Sequence, residues 1–227
     1  MLICSRLNFS GMFTTERWVQ TFDTFYSEQL DFSDMVTTAY KSQDFIFMDD
    51  FVDSELAKTF RKFQYISILF NTNYHDRMPV DEALFHGCIN FMQSSLSRLK
   101  SRHGCLASRS IYLGMAVLFA TTFRIPGVYT HPCCSTLAVA IHASCVSLER
   151  SAHNLPESVI LWLMFTCLMS TDSMPEVNIP TSWTRSLVSR LPWEEVCQQL
   201  KRVYWIDSFH DDLGRKAYET LMIQSGH

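Results

Sequence analysis

One uncharged run in the second half of the chain constrains the fold more than any other feature. Residues 159–169 read Val-Ile-Leu-Trp-Leu-Met-Phe-Thr-Cys-Leu-Met. A helix with this sequence is apolar on every side, so it has to be surrounded by other elements. The run is shorter than the ~20 residues that a transmembrane helix requires. We therefore predict a largely buried central helix near residues 156–170 inside a protein core.

Elsewhere in the chain, apolar residues recur mainly at helical spacing, and no stretch alternates between apolar and polar residues as a hairpin strand would. The sequence thus predicts an all-α fold. Residues 1–53 form an irregular, acidic lead with one helix around Trp18 and Tyr26, and residues 54–227 form a single helical domain. Within that domain the predicted helices span about residues 54–71, 79–102, 108–123, 130–150, 156–170 and 192–206, with a short helix around Trp183 and a closing helix through Leu221.

Charge and cysteine usage exclude several classes of function. The 227 residues carry a net charge of -4 and show no basic patch, which argues against direct binding of a nucleic acid. None of the 8 cysteines is paired at the two-residue gap typical of zinc sites, and no secretory leader precedes them. We expect reduced core cysteines in a cytosolic or nuclear protein, and no catalytic, cofactor-binding or metal-binding residue.

Two groups of acidic residues can be explained as caps at the starts of helices. Asp53 and Ser54 stand at a predicted helix start, where carboxylates and hydroxyls cap free N–H groups. Asp211 and Asp212 are predicted to occupy the same position before the last helix. Capping would account for both pairs without a metal ion.

Four segments in order resemble the regulatory region of fungal-specific transcription factors, whose separate zinc binuclear cluster binds DNA. They are Asn73-Tyr-His-Asp-Arg77, Arg109-Ser-Ile-Tyr-Leu-Gly-Met115, Pro156-Glu-Ser-Val-Ile-Leu-Trp-Leu-Met-Phe165 and the stretch from Trp193 through Gly214. The resemblance implies a nuclear regulator of transcription, for example of secondary metabolism, that acts through a protein partner, a regulator dimer or a small apolar effector. The zinc module of the family has no counterpart in this chain, so no direct DNA binding is expected from it, and a location in the cytoplasm follows if it lacks a DNA-binding partner.

A second resemblance, to class I terpene cyclases, gives the alternative function. Those enzymes hold Mg²⁺ and a diphosphate between two acidic motifs, because hard cations prefer carboxylate oxygens. Asp49, Asp50 and Asp53 have the form of the first motif, and Asp211, Asp212 and Glu219 that of the second. Arg215 stands where the family usually has a hydroxyl ligand.

Several large aromatic residues fit either a core or a binding cavity. Trp162, Trp183, Trp193, Trp205 and Phe165 are expected to be mainly core residues, and some of them could line an apolar cavity for a small effector.

Overall fold

A computed structural model describes residues 45–77, 82–99, 104–122, 132–151, 154–170 and 191–224. The predicted helix around Trp18 and Tyr26 and the short helix around Trp183 lie outside these residues. Within them the chain forms seven helices and no strand, so the predicted all-α class is confirmed. The helices are α1 (Ser54–His75), α2 (Glu82–Leu99), α3 (Leu106–Thr122), α4 (Pro132–Arg150), α5 (Glu157–Ser170), α6 (Trp193–Lys201) and α7 (Asp207–Gln224).

Helix α5 is the centre of the structure. Every residue from Ser158 to Ser170 is buried, because α3, α4, α6 and α7 pack against it from different sides. The prediction of a largely buried central helix is therefore confirmed. Among the described residues, no helix is long and apolar enough to cross a membrane.

Helix α1 has the amphipathic pattern that the sequence indicates. Leu56, Phe60 and Phe63 are buried on one face, while exposed Glu55 and Lys58 form an ion pair on the other. The Asp53 carboxylate accepts a hydrogen bond from the Leu56 N–H at 3.0 Å, which satisfies one of the free donors at the helix start. The predicted cap at Asp53 is thus confirmed.

The predicted end of the sixth helix is wrong. The apolar spacing predicts one helix over residues 192–206, but α6 ends at Lys201 and α7 begins at Asp207. Residues 202–206 form a turn, and Val203, Tyr204, Trp205 and Ile206 in it are completely buried. We call these five residues the buried turn. Its apolar side chains continue the helical spacing although the backbone leaves the helix.

Close packing between helices depends on two glycines, each facing an indole. A Cβ atom added to Gly114 of α3 would lie 2.6 Å from the ring of Trp162, which belongs to α5. A Cβ atom on Gly214 of α7 would lie 2.7 Å from the ring of Trp205 and 2.8 Å from that of Trp193. Real Cβ contacts are not this short, so only glycine allows the helices to approach the indoles at their observed positions.

We expect Gly114→Ala to destabilise the protein by about 1–3 kcal/mol, because the new methyl group overpacks the contact with Trp162. Gly87 is the matched control, since it lies within α2 and a Cβ atom there meets nothing within 4 Å. Gly87→Ala should stabilise the protein by about 0.5–1 kcal/mol through helix propensity alone. Urea unfolding of both variants measures the two changes, and equal effects would contradict the packing of α3 on Trp162.

Candidate functional site

The buried turn places non-helical backbone in the core, where the N–H groups of Arg202, Val203 and Tyr204 bond back to α6 but their carbonyl groups do not continue the hydrogen bonds of that helix. A buried carbonyl or N–H group without a partner costs about 1–3 kcal/mol. The turn therefore needs hydrogen-bond partners from outside itself, and helices α1, α5 and α7 provide them as side chains.

Two side-chain amides of α1 bond the turn and its flanks. The Gln64 amide donates to the carbonyl oxygen of Val203 at 2.8 Å and to that of Ile46 at 3.1 Å. The Asn71 amide donates to the Trp205 carbonyl at 2.9 Å and accepts from the Asp207 N–H at 2.8 Å. Each amide thus joins two backbone groups.

The remaining partners come from the central helix, the last helix and the segment before α1. Trp162 of α5 donates its indole N–H to the Tyr204 carbonyl at 2.8 Å. The Ile206 N–H donates to Nδ1 of His210 at 2.9 Å, and the Ile46 N–H donates to the Arg202 carbonyl at 2.9 Å. Together these bonds attach the turn to α1, α5, α7 and the segment before α1.

His210 is completely buried and serves as a hydrogen-bond acceptor. Because its Nδ1 accepts the Ile206 N–H, the imidazole is neutral with its proton on Nε2. Burial disfavours the charged ring and lowers the pKa of His210 to about 3. At neutral pH this histidine holds the start of α7 in place and does not ionise.

A charged cluster lies beside the turn, where α1, α6 and α7 meet. The Asp207 side chain is only 2% exposed, and its Oδ2 accepts from Nζ of Lys201 at 2.7 Å and from Nε2 of His75 at 2.9 Å. Burial opposes the charge on Lys201, but the hydrogen bond and the negative charge of Asp207 outweigh it and raise the lysine pKa. The cluster joins the end of α1 to the start of α7.

The sequence did not reveal these histidine partners. His75 and His210 each precede an aspartate, Asp76 and Asp211 respectively, which suggests neighbouring pairs. In the structure His75 instead bonds Asp207, which is 132 positions away, and His210 bonds the Ile206 N–H. Partners separated by so much chain leave no local sequence signal.

The first acidic motif is divided among separate partners. Asp49 forms an ion pair with Arg61 at 2.6 Å, Asp53 caps α1, and Asp50 is exposed.

The second motif occupies a different position from the predicted one. Helix α7 starts at Asp207, so Asp211 and Asp212 lie in its second turn, and the prediction that they cap it is wrong. Oδ1 of Asp211 accepts from the Trp205 indole N–H at 2.7 Å and from the thiol of Cys197 at 3.6 Å. Asp212 and Glu219 are exposed. Among the described residues, no three His, Cys, Asp or Glu side chains are arranged to hold a metal ion.

The described tryptophans are core residues. Trp162 packs edge-on against Phe60 with ring centroids 5.7 Å apart, and Trp193 packs against Phe165 at 6.1 Å. Trp205 lies against His210 at 5.0 Å. These contacts confirm the core interpretation for the four aromatic residues that are described, whereas Trp183 lies outside the described residues.

The cysteines that are described are reduced. Cys88, Cys145, Cys167 and Cys197 are buried, and Cys105 is exposed. Burial raises the pKa of Cys88 and of Cys197 to about 12, so both thiols stay protonated at neutral pH and are poor nucleophiles.

Comparison with known proteins returned no matching family model, no matching curated protein and no matching solved structure.

We expect Gln64 to stabilise the protein mainly through its hydrogen bonds to the turn and its flank, and less through the volume that its side chain fills. Gln64→Leu, which removes a donor to two carbonyls, should destabilise the protein by about 1–3 kcal/mol. Tyr204→Phe is the control, because no atom of the described residues bonds its buried hydroxyl group. Its effect should be below about 0.5 kcal/mol. Denaturant melts measure both, and a larger loss for Tyr204→Phe would refute this account.

Stability should fall as the solution becomes acidic, with a contribution from His210. Between about pH 6.5 and pH 3 the unfolded chain binds a proton at this ring and the native state does not, so the native state loses up to about 1.4 kcal/mol per pH unit. His210→Asn keeps an acceptor for the Ile206 N–H without this titration, and should flatten the slope of unfolding free energy against pH.

Proposed function

We propose that this chain is a helical regulatory module, related to the effector region of fungal zinc-cluster transcription regulators, that acts through binding. It would work in the nucleus together with a DNA-binding protein, by contacting a protein partner or a small apolar effector. The zinc cluster of such regulators binds DNA, and this chain would supply the regulatory contacts.

The observation that carries the proposal is that contacts link the four resembling segments into one connected set. Gly114 of the second segment lies against Trp162 of the third, and Trp162 donates to the Tyr204 carbonyl of the fourth. His75 of the first segment bonds Asp207 of the fourth. These contacts support an architecture shared with the regulatory region of those transcription factors, in which the four segments form the scaffold.

The geometry supports the terpene cyclase alternative less well. A cyclase needs both acidic motifs free to face a common diphosphate and its magnesium ions. Here Asp49 and Asp53 bond groups of their own region, and Asp211 bonds Trp205 and Cys197. Holding Mg²⁺ with these carboxylates would require breaking an ion pair, a helix cap and a buried indole hydrogen bond.

A reporter experiment tests the proposal directly. The chain is fused to a DNA-binding module from another regulator, and transcription from a matching promoter is measured in a fungal cell. The fusion should change transcription relative to the DNA-binding module alone. The Gly87→Ala fusion should retain the change and the Gly114→Ala fusion should reduce it in proportion to its lost stability. A folded, expressed fusion that leaves transcription unchanged would count against a regulatory role.

We expect the isolated chain to show no sequence-specific binding to DNA. Its net charge is -4, and a phosphate backbone is held mainly by clustered Lys and Arg. Titration of labelled duplexes at low salt checks this. A sequence-dependent, salt-sensitive affinity in the nanomolar range would show that the chain reads DNA itself.

Magnesium with farnesyl diphosphate should not change the melting temperature, and no hydrocarbon or alcohol product should form. The double variant Asp211→Asn, Asp212→Asn should lose less than about 1 kcal/mol, because an asparagine oxygen can still accept the Trp205 indole N–H. A magnesium-dependent rise in melting temperature that disappears in the double variant would favour the cyclase, since a ligand of the native state stabilises it.

A further inference from the structure

A short segment before the first helix is bound to the rest of the structure through its main chain. Residues 45–48 belong to no helix and no strand, and we call them the strap. The Ile46 N–H donates to the Arg202 carbonyl oxygen at 2.9 Å, and the Ile46 carbonyl oxygen accepts from the Gln64 amide at 3.1 Å. Main-chain bonds of this kind are a common way in which proteins hold an extended peptide of a partner.

Two apolar side chains anchor the strap. Phe45 and Met48 are buried, whereas Phe47 between them is exposed. Met48 belongs to the hydrophobic core, and half-buried Ile46 packs against that core. The strap thus combines main-chain bonds with two buried side chains three positions apart. In peptide recognition the main-chain bonds give affinity and the pockets for side chains give specificity.

The groups that receive the strap are held in place by the core. The Gln64 side chain is buried, and its amide also donates to the Val203 carbonyl oxygen at 2.8 Å. Arg202 is fixed at the end of α6, because its N–H donates to the Gln198 carbonyl oxygen at 3.2 Å. We define the strap site by Gln64 and Arg202. Neither of these bonds involves the strap, so the site does not depend on the strap for its form.

The strap is bound more weakly than the helices. Among the described residues it is joined to them at one end, through residues 49–53. The gain from two buried side chains and two hydrogen bonds is of the same order as the entropy cost of ordering the segment. Beside it, Arg61 lies over the Phe47 ring and pairs with Asp49, but the Arg61 and Asp49 side chains are 37% and 51% exposed. Contacts between exposed groups contribute little.

We infer that the strap is an autoinhibitory segment, and that its site takes an extended peptide of a protein partner with two large apolar side chains three positions apart. The inference rests on the proposed function, in which this chain contacts a protein partner. Once the strap leaves, Gln64 offers its N–H group and Arg202 its carbonyl group to the main chain of the partner. A segment on a short tether competes at an effective concentration in the millimolar range, so the partner binds weakly until the strap is released.

Binding of a strap peptide to the full chain tests this inference. A fluorescent peptide of residues 45–50, Phe-Ile-Phe-Met-Asp-Asp, is titrated with the protein and followed by anisotropy. Met48→Asp puts a charge at a core position and so releases the strap of the full chain. This variant should bind the wild-type peptide at least about tenfold more tightly than the wild-type chain does. A peptide that itself carries Met48→Asp should bind neither chain.

The matched control is Asp50→Asn, at an exposed position next to the strap, which should leave the peptide affinity of the chain within about twofold of wild type. A folded Met48→Asp chain that binds the peptide no more tightly than the control overturns the inference. If thermal melts show that this variant is unfolded, Phe45→Ala takes its place. Unfolding of both variants would show that the strap is a fixed part of the fold, and would overturn the inference as well.

Sedimentation identifies the other possible occupant, the strap of a second copy. A wild-type chain that sediments at twice its 26.3 kDa mass, and becomes monomeric on Met48→Asp, would overturn the assignment of the site to another protein. We expect a monomer in both cases. Because peptide binding is measured without a reporter gene, failure of this inference and failure of the proposed regulatory role are separate results.

Discussion

The structure depends on satisfying the backbone of a turn that runs through the core. Val203, Tyr204, Trp205 and Ile206 are as deeply buried as any helix residue, yet their backbone lies outside regular helix. Without partners, several buried carbonyl and N–H groups would each cost about 1–3 kcal/mol, which is comparable with the net stability of a whole domain. Gln64, Asn71, Trp162 and His210 remove that cost and also fix the positions of the helices that carry them.

This dependence explains which parts of the fold were predictable. Helices α1 to α5 follow from apolar spacing and from punctuation by proline and glycine, since both are local properties of the sequence. The end of α6 cannot be predicted from apolar spacing, because Val203 and Tyr204 continue the apolar face of the helix beyond its last residue. The turn is stabilised by Gln64, which is 139 positions from Val203, and by Asn71, which is 134 positions from Trp205. Such distant partners cannot be paired from one sequence.

The same distinction applies to the polar groups. Asp53 caps the helix that begins at the next residue by accepting from the N–H group three positions later, so its role could be predicted. The cap expected of Asp211 and Asp212 depended on where α7 starts, and the helix starts at Asp207, four residues before Asp211. Asp211 instead holds the indole of Trp205, six positions before it. One misplaced boundary therefore changed the interpretation of a whole acidic motif.

The placement of the resembling segments also bears on where binding can occur. Trp162, Tyr204 and Trp205 are completely buried, and Gly114 and Gly214 are held by contact with indole rings, so substitutions at these positions act first on the fold. A partner has to meet residues that the core leaves exposed. Exposed positions of α3 and α4 such as Arg109, Val139 and Ala143 meet that condition, because both helices pack against α5 on their other side. Helix α5 therefore positions these outer residues without contributing to the surface itself, and a substitution at exposed Ala143 changes that surface while the buried turn and its hydrogen bonds stay intact.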